Sequence, residues 1–437
     1  MKTLFPKQQQ QVDNICGALG RHSGVLDSSM TGVGKTVVAC AVAQRLGVPV
    51  AVICPKIVIP HWQRELAEFG VTPVFVTNYE KIKRGNEFLV KVGKKMFRWN
   101  LPKDTLLIFD EAHNCKSPWT QNSQMLIAAK QAGFKCLMLS ATACQDPTEM
   151  RSIGYALDLH SLNRPDSAAG LTSWFGWMKQ LGCKQDPWNN WKAGPVAKLK
   201  GLNSMLYGRN AFKLTHADLP DAFAANHVIT EPLAFGSLKD IAAFYEEHGV
   251  TPEIIENAIE GISPEPHILV EILRARQLAE AAKVPDIVTM VQDACAEGYS
   301  VVVFVNFTDT VRAMHEHFPE ASIIIGGQSG DNREENVQRF QRNETNVIIC
   351  NSAAGGVGVS LHDTTGDHPR MSLISPTYDV KVYVQMLGRI HRNGAKSPAT
   401  QRVLVAAGTI EEKIVTALER KRLSMDTLHA QPTSANS

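Results

Sequence analysis

The sequence predicts an α/β fold in two consecutive domains, each built on a mostly parallel sheet flanked by helices. Its 437 residues suit two hydrophobic cores of about 200 residues each. In both halves, short apolar runs rich in β-branched residues recur at helix-length intervals. Their continuous hydrophobicity is typical of parallel strands buried on both faces. These runs are 50–54, 74–77, 105–109, 136–140, 301–305, 323–325, 347–350 and 371–374.

The domain boundary is expected where turn-forming residues interrupt the apolar runs. Leu219-Pro220-Asp221 and the polar stretch after it predict an inter-domain connection. Two segments fit neither sheet and are predicted to be insertions of the first domain, a basic one at 81–103 and a tryptophan-rich one at about 150–210. The predicted organisation is a first domain at 1–217, a connection at 218–232, a second domain at 233–423 and a disordered tail at 424–437.

Charge and cysteine content restrict the class of protein. Lysine and arginine number 45 against 43 aspartates and glutamates, so the chain has no overall polycationic field, and a nucleic acid would have to bind local patches. The nine cysteines include no C-x-x-C pair, which disfavours a zinc ribbon. We expect a cytoplasmic protein without membrane contact, because the sequence lacks a signal-like start and any apolar run near the roughly 18 residues that span a bilayer.

A glycine-rich run in the first domain has the composition of a phosphate-binding loop. Gly32 and Gly34 let the backbone curl so that its N–H groups face phosphate oxygens, and Lys35 reaches the outer phosphates. The hydroxyl of Thr36 would bind Mg²⁺. Ser29 stands where the pattern has its first glycine, which leaves an ordinary glycine-rich turn before a helix as the alternative. The predicted nucleotide-binding residues of the loop are Thr31, Gly32, Val33, Gly34, Lys35 and Thr36.

An acidic pair follows the apolar run 105–109 and would complete this site. Open parallel sheets bind ligands at the carboxyl ends of their strands. We expect Asp110 to hold the magnesium and Glu111 to orient or deprotonate the attacking water. Ser140-Ala141-Thr142 also ends an apolar run, and its hydroxyls would connect the nucleotide site to the other domain. A helix N-cap is the alternative for these hydroxyls.

The second half carries a glycine-rich segment and an arginine pair. The segment 354–360 follows an apolar run and either offers backbone amides to a ligand or forms a flexible turn. Arg389 and Arg392 lie three residues apart, which predicts that they share one face of a helix. They would reach a γ-phosphate across a cleft, and such arginine fingers contribute roughly 10³ to 10⁵ in rate. A solvated basic helix face is the alternative.

Taken in chain order, these residues resemble the motifs of the superfamily-two helicases, and more specifically those of the Swi/Snf-type DNA translocases. Gln8 is similar to the glutamine of the adenine-contacting Q motif, and Asp110-Glu111-Ala112-His113 resembles the D-E-A-H form of motif II. The resemblance runs through almost the whole chain. The matching segments are 4–8, 30–36, 54–65, 77–80, 110–113, 304–308, 354–361, 385–392 and 408–413.

The resemblance implies two RecA-like domains that close on ATP and Mg²⁺ in a cleft and step along one strand of a DNA duplex. It also implies nucleotide contacts from Gln8 and Gly358. Two residues depart from the family pattern: Phe5 replaces the usual arginine, and Ser360 replaces a common asparagine. Ser140-Ala-Thr is the helicase-like form of motif III, so the enzyme could still separate strands. The implied catalytic residues are Lys35, Asp110, Glu111, Gln385, Arg389 and Arg392.

The basic insertion is the main candidate for a DNA contact. It carries eight basic residues against the single acid Glu87, and residues 92–95 predict a hairpin turn. We expect it to contact duplex or to act as a wedge with Phe97 or Trp99 stacked on an unpaired base, a solvated hairpin being the alternative. The clustered tryptophans of the second insertion predict a small satellite core. The predicted DNA-binding residues are Lys56, Lys94, Lys95, Arg98, Trp99, Gly355 and Gly356.

These features favour one functional hypothesis over two alternatives. The favoured one is a DNA-dependent ATPase that translocates on duplex and remodels or unwinds branched DNA, such as forks and Holliday-type junctions, in replication, recombination or repair. Residues 276–285 resemble fork-remodelling members of the family, and the compact frame resembles virus-encoded branch-migration helicases. One alternative is an ATP-driven remodeller that displaces proteins from DNA without strand separation. The other is an RNA helicase, which segments 54–65 and 385–392 disfavour. A monomer is compatible with the sequence.

Overall fold

Both expected parallel sheets are present in a computed structural model of the chain, which divides into two units. The first unit is Met1–Leu219 with Leu423–Ser437, and the second is Pro220–Arg422. The residues that the structure describes are 3–117, 119–144, 146–186, 191–207, 209–233, 238–249, 251, 253–254, 266–355 and 359–429.

The first unit is built on a six-stranded parallel sheet. Its strands are β1 (Gly24–Asp27), β2 (Val50–Cys54), β3 (Phe75–Asn78), β4 (Leu89–Lys91), β5 (Phe97–Trp99), β6 (Leu106–Asp110), β7 (Lys135–Leu139), β8 (Lys184–Gln185), β9 (Trp191–Lys192) and β10 (Ala211–Phe212). Its helices are α1 (Pro6–Arg21), α2 (Lys35–Leu46), α3 (Ile59–Glu68), α4 (Tyr79–Ile82), α5 (Gln121–Gln131), α6 (Arg151–Ala156), α7 (Trp174–Gln180) and α8 (Val196–Tyr207). The strand order is β10-β1-β7-β6-β2-β3, and β4–β5 and β8–β9 form separate antiparallel hairpins.

Alternation along each strand divides the core of the first unit between two clusters. In β2, Val50 and Val52 join the cluster that contains residues of α1, α2 and α3. Ala51 and Ile53 join the other cluster, with residues of α5, α6 and α7. All four side chains are fully buried. Helices therefore cover both faces of the sheet, which explains why these strands are apolar at every position.

The second unit repeats the architecture with a second six-stranded parallel sheet. Its strands are β11 (Asn226–Leu233), β12 (Ser300–Val305), β13 (Ser322–Ile324), β14 (Val347–Asn351), β15 (Arg370–Ile374) and β16 (Ala399–Ala406). Its helices are α9 (Leu238–Glu247), α10 (Pro266–Ala282), α11 (Val284–Ala296), α12 (Thr308–His317), α13 (Gly330–Gln341), α14 (Ser352–Gly355), α15 (Val380–Ile390) and α16 (Ile410–Leu428). The order β11-β16-β15-β12-β14-β13 is parallel throughout, so the expected fold class is confirmed. No helix among the described residues is both long and apolar enough to cross a bilayer.

Residues 226–232, expected to lie in the inter-domain connection, form an edge strand instead. β11 pairs with β16 in a parallel register that runs from Asn226 opposite Ala399 to Leu233 opposite Ala406. Most β11 side chains are exposed. A strand that is solvated on one side lacks the continuous apolar run of a buried strand, so hydrophobicity alone could not identify it.

Residues 424–429, expected to be a disordered tail, end the last helix and pack into the first unit. Leu428 is fully buried in that unit's core. Its carbonyl oxygen accepts a hydrogen bond from Asn203 Nδ2 at 2.8 Å. The prediction of disorder is therefore wrong for these residues, because their partners come from far away in the sequence. Residues 430–437 lie outside the described part of the chain.

His429 follows this helix and is itself buried among polar groups of the first unit. Its Nδ1 lies 2.7 Å from the Tyr207 hydroxyl, and its Nε2 lies 2.9 Å from the carbonyl oxygen of Cys144. The Tyr207 hydroxyl also contacts Ser28 Oγ, directly after β1. Lys213 Nζ donates to the carbonyl of His429 at 2.8 Å. His429 is thus linked through Tyr207 to Ser28, which lies between β1 and the glycine-rich loop.

The tryptophan-rich insertion packs on the main core of the first unit and does not form a satellite core. Trp174 and Trp177 are each 3% exposed and belong to the same cluster as the strands of the sheet. Trp191 packs against that cluster while partly buried. Trp188 lies outside the described residues. Their role as packing residues is as expected, whereas the expected separate core is wrong.

Candidate nucleotide site

The glycine-rich loop joins the buried strand β1 to helix α2 and requires glycine at two positions. Gly32 has a φ of 87° and Gly34 a φ of 94°, in the left-handed region that side chains disfavour. A Cβ added to Gly34 would lie 2.6 Å from Gln8 Nε2. The loop therefore has the curled backbone that its sequence predicts, and α2 begins at Lys35.

Lys35 folds back over this loop. Its Nζ donates to the carbonyl oxygens of Ser29 at 2.8 Å and Met30 at 3.1 Å. An ammonium group held by neutral carbonyls can transfer to phosphate oxygens, since charge-assisted hydrogen bonds are the stronger ones. The ammonium is therefore held at the loop, where a phosphate ligand would be bound.

Ser29, which departs from the usual loop pattern, belongs to a buried network behind the loop. Its Oγ accepts from Gln11 Nε2 at 2.7 Å and from Leu214 N at 2.8 Å. Gln11 Nε2 also donates to Asp27 Oδ1 at 2.8 Å. Burial raises the pKa of Asp27 above its usual range, and the hydrogen bonds from Ser29 and Gln11 oppose that shift. The serine thus ties the loop to helix α1 and to the end of β1.

Gln8 joins the loop to the start of helix α1 through the two ends of its amide. Its Nε2 donates to the carbonyl of Val33 at 2.8 Å, and its Oε1 accepts from Phe5 N at 3.0 Å. The carbonyl of Thr31 is contacted by His216 Nε2 at 2.9 Å. These residues brace the loop backbone. The expected contact between Gln8 and an adenine ring stays a prediction.

Asp110 stands at the carboxyl end of β6, as the sequence predicts. Its Oδ2 accepts from Trp62 Nε1 at 2.8 Å and its Oδ1 from Glu111 N at 2.9 Å. Burial raises the pKa of Asp110 to about 6, and the Glu111 carboxylate adds to the shift, against the opposing effects of the Trp62 hydrogen bond and Lys35. The Tyr79 hydroxyl donates to the Asp110 carbonyl at 2.9 Å. The carboxylate is therefore fixed in orientation.

Glu111 occupies a strained backbone conformation beside Asp110. Its φ of 52° and ψ of 53° lie in the left-handed region, which costs a non-glycine residue about 1–3 kcal/mol. Two hydrogen bonds from Asn114, through its N and Nδ2, hold the Glu111 carbonyl at 2.9 Å each. His113 Nδ1 lies 3.1 Å from Glu111 Oε2 and 3.1 Å from Ser140 Oγ. The expected helicase-like segment at Ser140 is thus linked to the acidic pair.

The donor groups at the loop fit a magnesium ion that accompanies a nucleotide. Mg²⁺ in such sites is held by one or two protein oxygens together with phosphates. Asp110 supplies a carboxylate whose pKa is raised by burial and by Glu111. A nearby divalent cation would lower that pKa and keep the carboxylate charged. Thr36 supplies a hydroxyl in the first turn of α2. Among the described residues, no group of three or more His, Cys, Asp and Glu side chains could hold a metal without phosphates.

The two arginines of the second unit both contact the segment after the glycine-rich stretch 354–358. Arg389 is only 3% exposed, and its Nη1 donates to the carbonyl of Val359 at 2.9 Å. Arg392 Nη1 donates to Ser360 Oγ at 2.6 Å. The serine that departs from the family pattern is therefore a hydrogen-bond partner of the second arginine.

The arginines do not share one helical face. Helix α15 ends at Ile390, and His391 has an extended backbone with φ −107° and ψ 100°. Arg392 consequently lies beyond the helix, and the expectation from their three-residue spacing is wrong. Arg389 is buried inside the second unit, whereas Arg392 is partly exposed, so Arg392 is the more accessible of the two to a phosphate.

The remaining predicted residues of the second unit are buried or lie outside the described residues. Gln385 is on α15 and 7% exposed. Gly355 is buried, and an added Cβ would lie 2.6 Å from Cys350 Cβ, so close packing requires glycine there. This burial does not support a DNA contact at Gly355. Gly356 and Gly358 lie outside the described residues.

The predicted DNA-binding residues of the basic insertion separate into exposed and buried ones. Arg98 and Lys94 are exposed, as is Lys56 after β2. Trp99 is 5% exposed, and its Nε1 donates to the Met125 carbonyl at 3.0 Å. Phe97 is likewise buried. Stacking of either aromatic ring on a base is therefore wrong, because the period of a strand turns both toward the core and Arg98 away from it.

Sequence reasoning missed several residues that shape the site. Trp62, which orients Asp110, lies inside the segment 54–65 that matched the family, and that match could have singled it out. Gln11 lies three residues after Gln8 within a run of glutamines, and these two are the buried members of that run. Asp27 had no comparable signal, since an acid at the end of an apolar run has many possible roles.

A glycine loop, a lysine and an acidic pair at the carboxyl edge of a parallel sheet define a nucleotide-hydrolysing class of protein. Residues 1–145 match the family described as type III restriction enzyme, res subunit, and residues 282–394 match the helicase conserved C-terminal domain. The chain is 30% identical over 449 residues to a putative ATP-dependent RNA helicase of Acanthamoeba polyphaga mimivirus, and this match covers 96% of the chain and 82% of that protein.

Two further similarities are more limited. A DNA repair and recombination protein of Saccharomyces cerevisiae is 30% identical over 120 residues, which cover 26% of this chain and 13% of the yeast protein. The Sulfolobus solfataricus SWI2/SNF2 ATPase core solved with double-stranded DNA superposes with a TM-score of 0.40 at 20% identity, over 98% of this chain and 93% of that one.

The chain belongs to the superfamily-two helicases. It is an ATP-hydrolysing helicase-family enzyme, and the expected family is confirmed. The roles assigned to individual residues of the loop, the acidic pair and the arginine segment stay predictions.

Proposed function

We propose that this enzyme is a DNA-dependent ATPase that translocates on duplex DNA and remodels or unwinds branched DNA. The observation that carries the proposal is the ordered set of Swi/Snf-type motifs, which extends from Gln8 to Lys413. The yeast relative named for DNA repair and recombination supports DNA as the polynucleotide. Exposed basic residues of the hairpin β4–β5 offer a sequence-neutral contact to phosphates despite the near-zero net charge.

The first unit would bind and hydrolyse ATP with residues that are already positioned. Lys35 would exchange the carbonyls of Ser29 and Met30 for the outer phosphates of the nucleotide. Glu111, held by His113, would orient the attacking water or take its proton. Mg²⁺, held by Thr36 and Asp110, would neutralise charge on the phosphates.

The second unit would contribute Arg392 when nucleotide and DNA are bound. Its guanidinium is hydrogen-bonded to Ser360, in the segment that resembles motif V. A DNA strand that contacts this segment would therefore change or fix the position of Arg392. This arrangement would make hydrolysis depend on DNA, which is the property that the proposal requires.

The test is steady-state ATP hydrolysis by the full chain with blunt duplex DNA, forked DNA, a four-way junction, single-stranded DNA and RNA. We expect duplex-containing DNA to stimulate turnover, with the branched substrates the most effective. Glu111→Gln is the matched control, because it retains the shape of the side chain and should remove the stimulated turnover. Turnover that no duplex-containing DNA stimulates would refute the proposal.

An RNA helicase is the second candidate, and one observation favours it. The mimivirus relative that matches almost the entire chain is named a putative ATP-dependent RNA helicase. The same assay decides between them, since stimulation by RNA alone would assign RNA as the substrate. Stimulation by duplex DNA without strand displacement would instead assign translocation without unwinding.

A further inference from the structure

The basic insertion is a rigid hairpin with one buried face. Its strands pair antiparallel, with Leu89 opposite Trp99 and Lys91 opposite Phe97. Leu89, Phe97 and Trp99 join the core of the first unit, and the Trp99 hydrogen bond to Met125 fixes the hairpin further. Because three side chains anchor its inner face, the hairpin presents its outer face and tip in a defined position.

The tip and outer face combine exposed apolar side chains with positive charge. Val92 is 50% exposed and Met96 is 66% exposed, and Val92 N donates to the Met96 carbonyl at 2.9 Å across the turn. Lys94 and Arg98 are exposed beside them and form no ion pair within the described residues. An apolar tip that is surrounded by unneutralised cations matches a polyanion with apolar faces.

Trp119 extends this surface with an aromatic ring. Trp119 is 52% exposed, which is high for a large aromatic residue. Its carbonyl accepts from Lys95 Nζ at 2.9 Å, so it lies against the hairpin turn. One side of its ring is covered by the Arg151 guanidinium at 4.0 Å, and the Trp174 ring meets it edge-on at 6.3 Å. These contacts hold the indole in place while about half of it stays open to a ligand.

We propose that the hairpin tip and Trp119 form a binding surface for the unpaired nucleotides of a DNA strand. This proposal rests on the proposed function. Lys94 and Arg98 would bind phosphates, Trp119 would stack on one base, and Met96 would pack against the neighbouring base or sugar. Unpaired nucleotides offer free base faces along a strand for such stacking, whereas bases inside a duplex are stacked on one another.

The surface explains how a duplex translocase could distinguish a branch from plain duplex. A fork or flap places an unpaired strand next to a duplex. The rigid hairpin would bind that unpaired strand. The stacking role that the sequence suggested for Phe97 or Trp99 thereby passes to Trp119.

The experiment compares the affinities of the full chain for a blunt duplex and for the same duplex with a single-stranded tail, by fluorescence anisotropy of labelled DNA. Trp119→Ala should weaken binding of the tailed duplex by roughly 5- to 150-fold relative to the blunt one. Trp119→Phe should restore most of the loss, because a phenyl ring still stacks. Lys94→Ala combined with Met96→Ser tests the tip at two exposed side chains that lie outside the core.

Two controls match these changes elsewhere in the first unit. Met205 is 52% exposed on α8, and Lys192 is exposed on the other hairpin, β8–β9. Met205→Ser and Lys192→Ala should leave both affinities unchanged. The proposed binding surface would be refuted if the ratio of tailed to blunt affinity stayed unchanged in both Trp119→Ala and the tip double variant. An equal loss of affinity for both DNAs would refute it as well. Failure of duplex DNA to stimulate ATP hydrolysis by the wild type would instead refute the proposed function.

Discussion

Lowering the pH from about 7.5 to about 5 should release residues 423–429 from the rest of the first unit, because His429 is held there in its neutral form. The Cys144 carbonyl can only accept, so the proton is on Nε2, and Nδ1 accepts from the Tyr207 hydroxyl. Burial lowers the pKa of His429 from 6.5 to about 4. The hydrogen bond to Cys144 opposes that shift, and the charge of Lys213 adds to it.

The magnitude follows from linkage between proton binding and docking. Below about pH 6.5 the released segment binds a proton that the docked segment does not, so acid favours release. The contribution of His429 is complete above that pH and is lost as the pH falls toward about 4. Between about pH 7.5 and about pH 5 the loss is roughly 2 kcal/mol, or a factor of roughly 30 in the docking equilibrium.

Hydrogen–deuterium exchange of the amides of residues 423–429 measures this opening directly. After correction for the intrinsic effect of pH on exchange, the wild type should lose roughly 30-fold protection that His429→Gln retains. Glutamine can accept from Tyr207 and donate to the Cys144 carbonyl, but it does not titrate. His317→Gln, at an exposed histidine of the second unit, should respond as the wild type does. Equal acid sensitivity of the wild type and His429→Gln would refute the reasoning.

Three further substitutions test the site and the hairpin. Lys35→Ala should abolish binding of a fluorescent ATP analogue, since it removes the cation of the loop; undiminished binding would place Lys35 outside the site. Arg392→Ala should spare that binding yet slow hydrolysis by roughly 10³-fold or more, whereas turnover at the wild-type rate would exclude it as a finger. Trp99→Ala should lower the free energy of unfolding in urea by about 3–5 kcal/mol, and a stable variant with weakened DNA binding would contradict its role in packing.

The curled conformation of the glycine-rich loop could be predicted because it is encoded locally. Positive φ at Gly32 and Gly34 and the start of a helix at Lys35 depend on neighbouring residues, and six successive residues encode them. The position of Asp110 could also be predicted locally, because it directly follows an apolar strand. What the sequence could not show is the support for these groups, because Trp62 approaches Asp110 from 48 positions away.

The arginine segment shows how a correct motif can yield a wrong local geometry. Three-residue spacing predicts one helical face only while the helix continues, and the helix ends at Ile390. The last hydrogen-bonded turn is decided by what the following residues contact, here the contacts of Arg392 with Gly388 and Ser360. Spacing alone carries no information about those partners.

The sequence by itself determined the two parallel sheets, the curled backbone of the glycine-rich loop, the position of the acidic pair and the family. Each of these is encoded by residues close together in the chain or by apolar runs buried on both faces. Only the tertiary structure decided that Trp99 packs inward while Trp119 stays exposed, that 226–233 adds an edge strand, and that His429 is buried. These outcomes depend on partners distant in sequence, and the local sequence does not identify those partners.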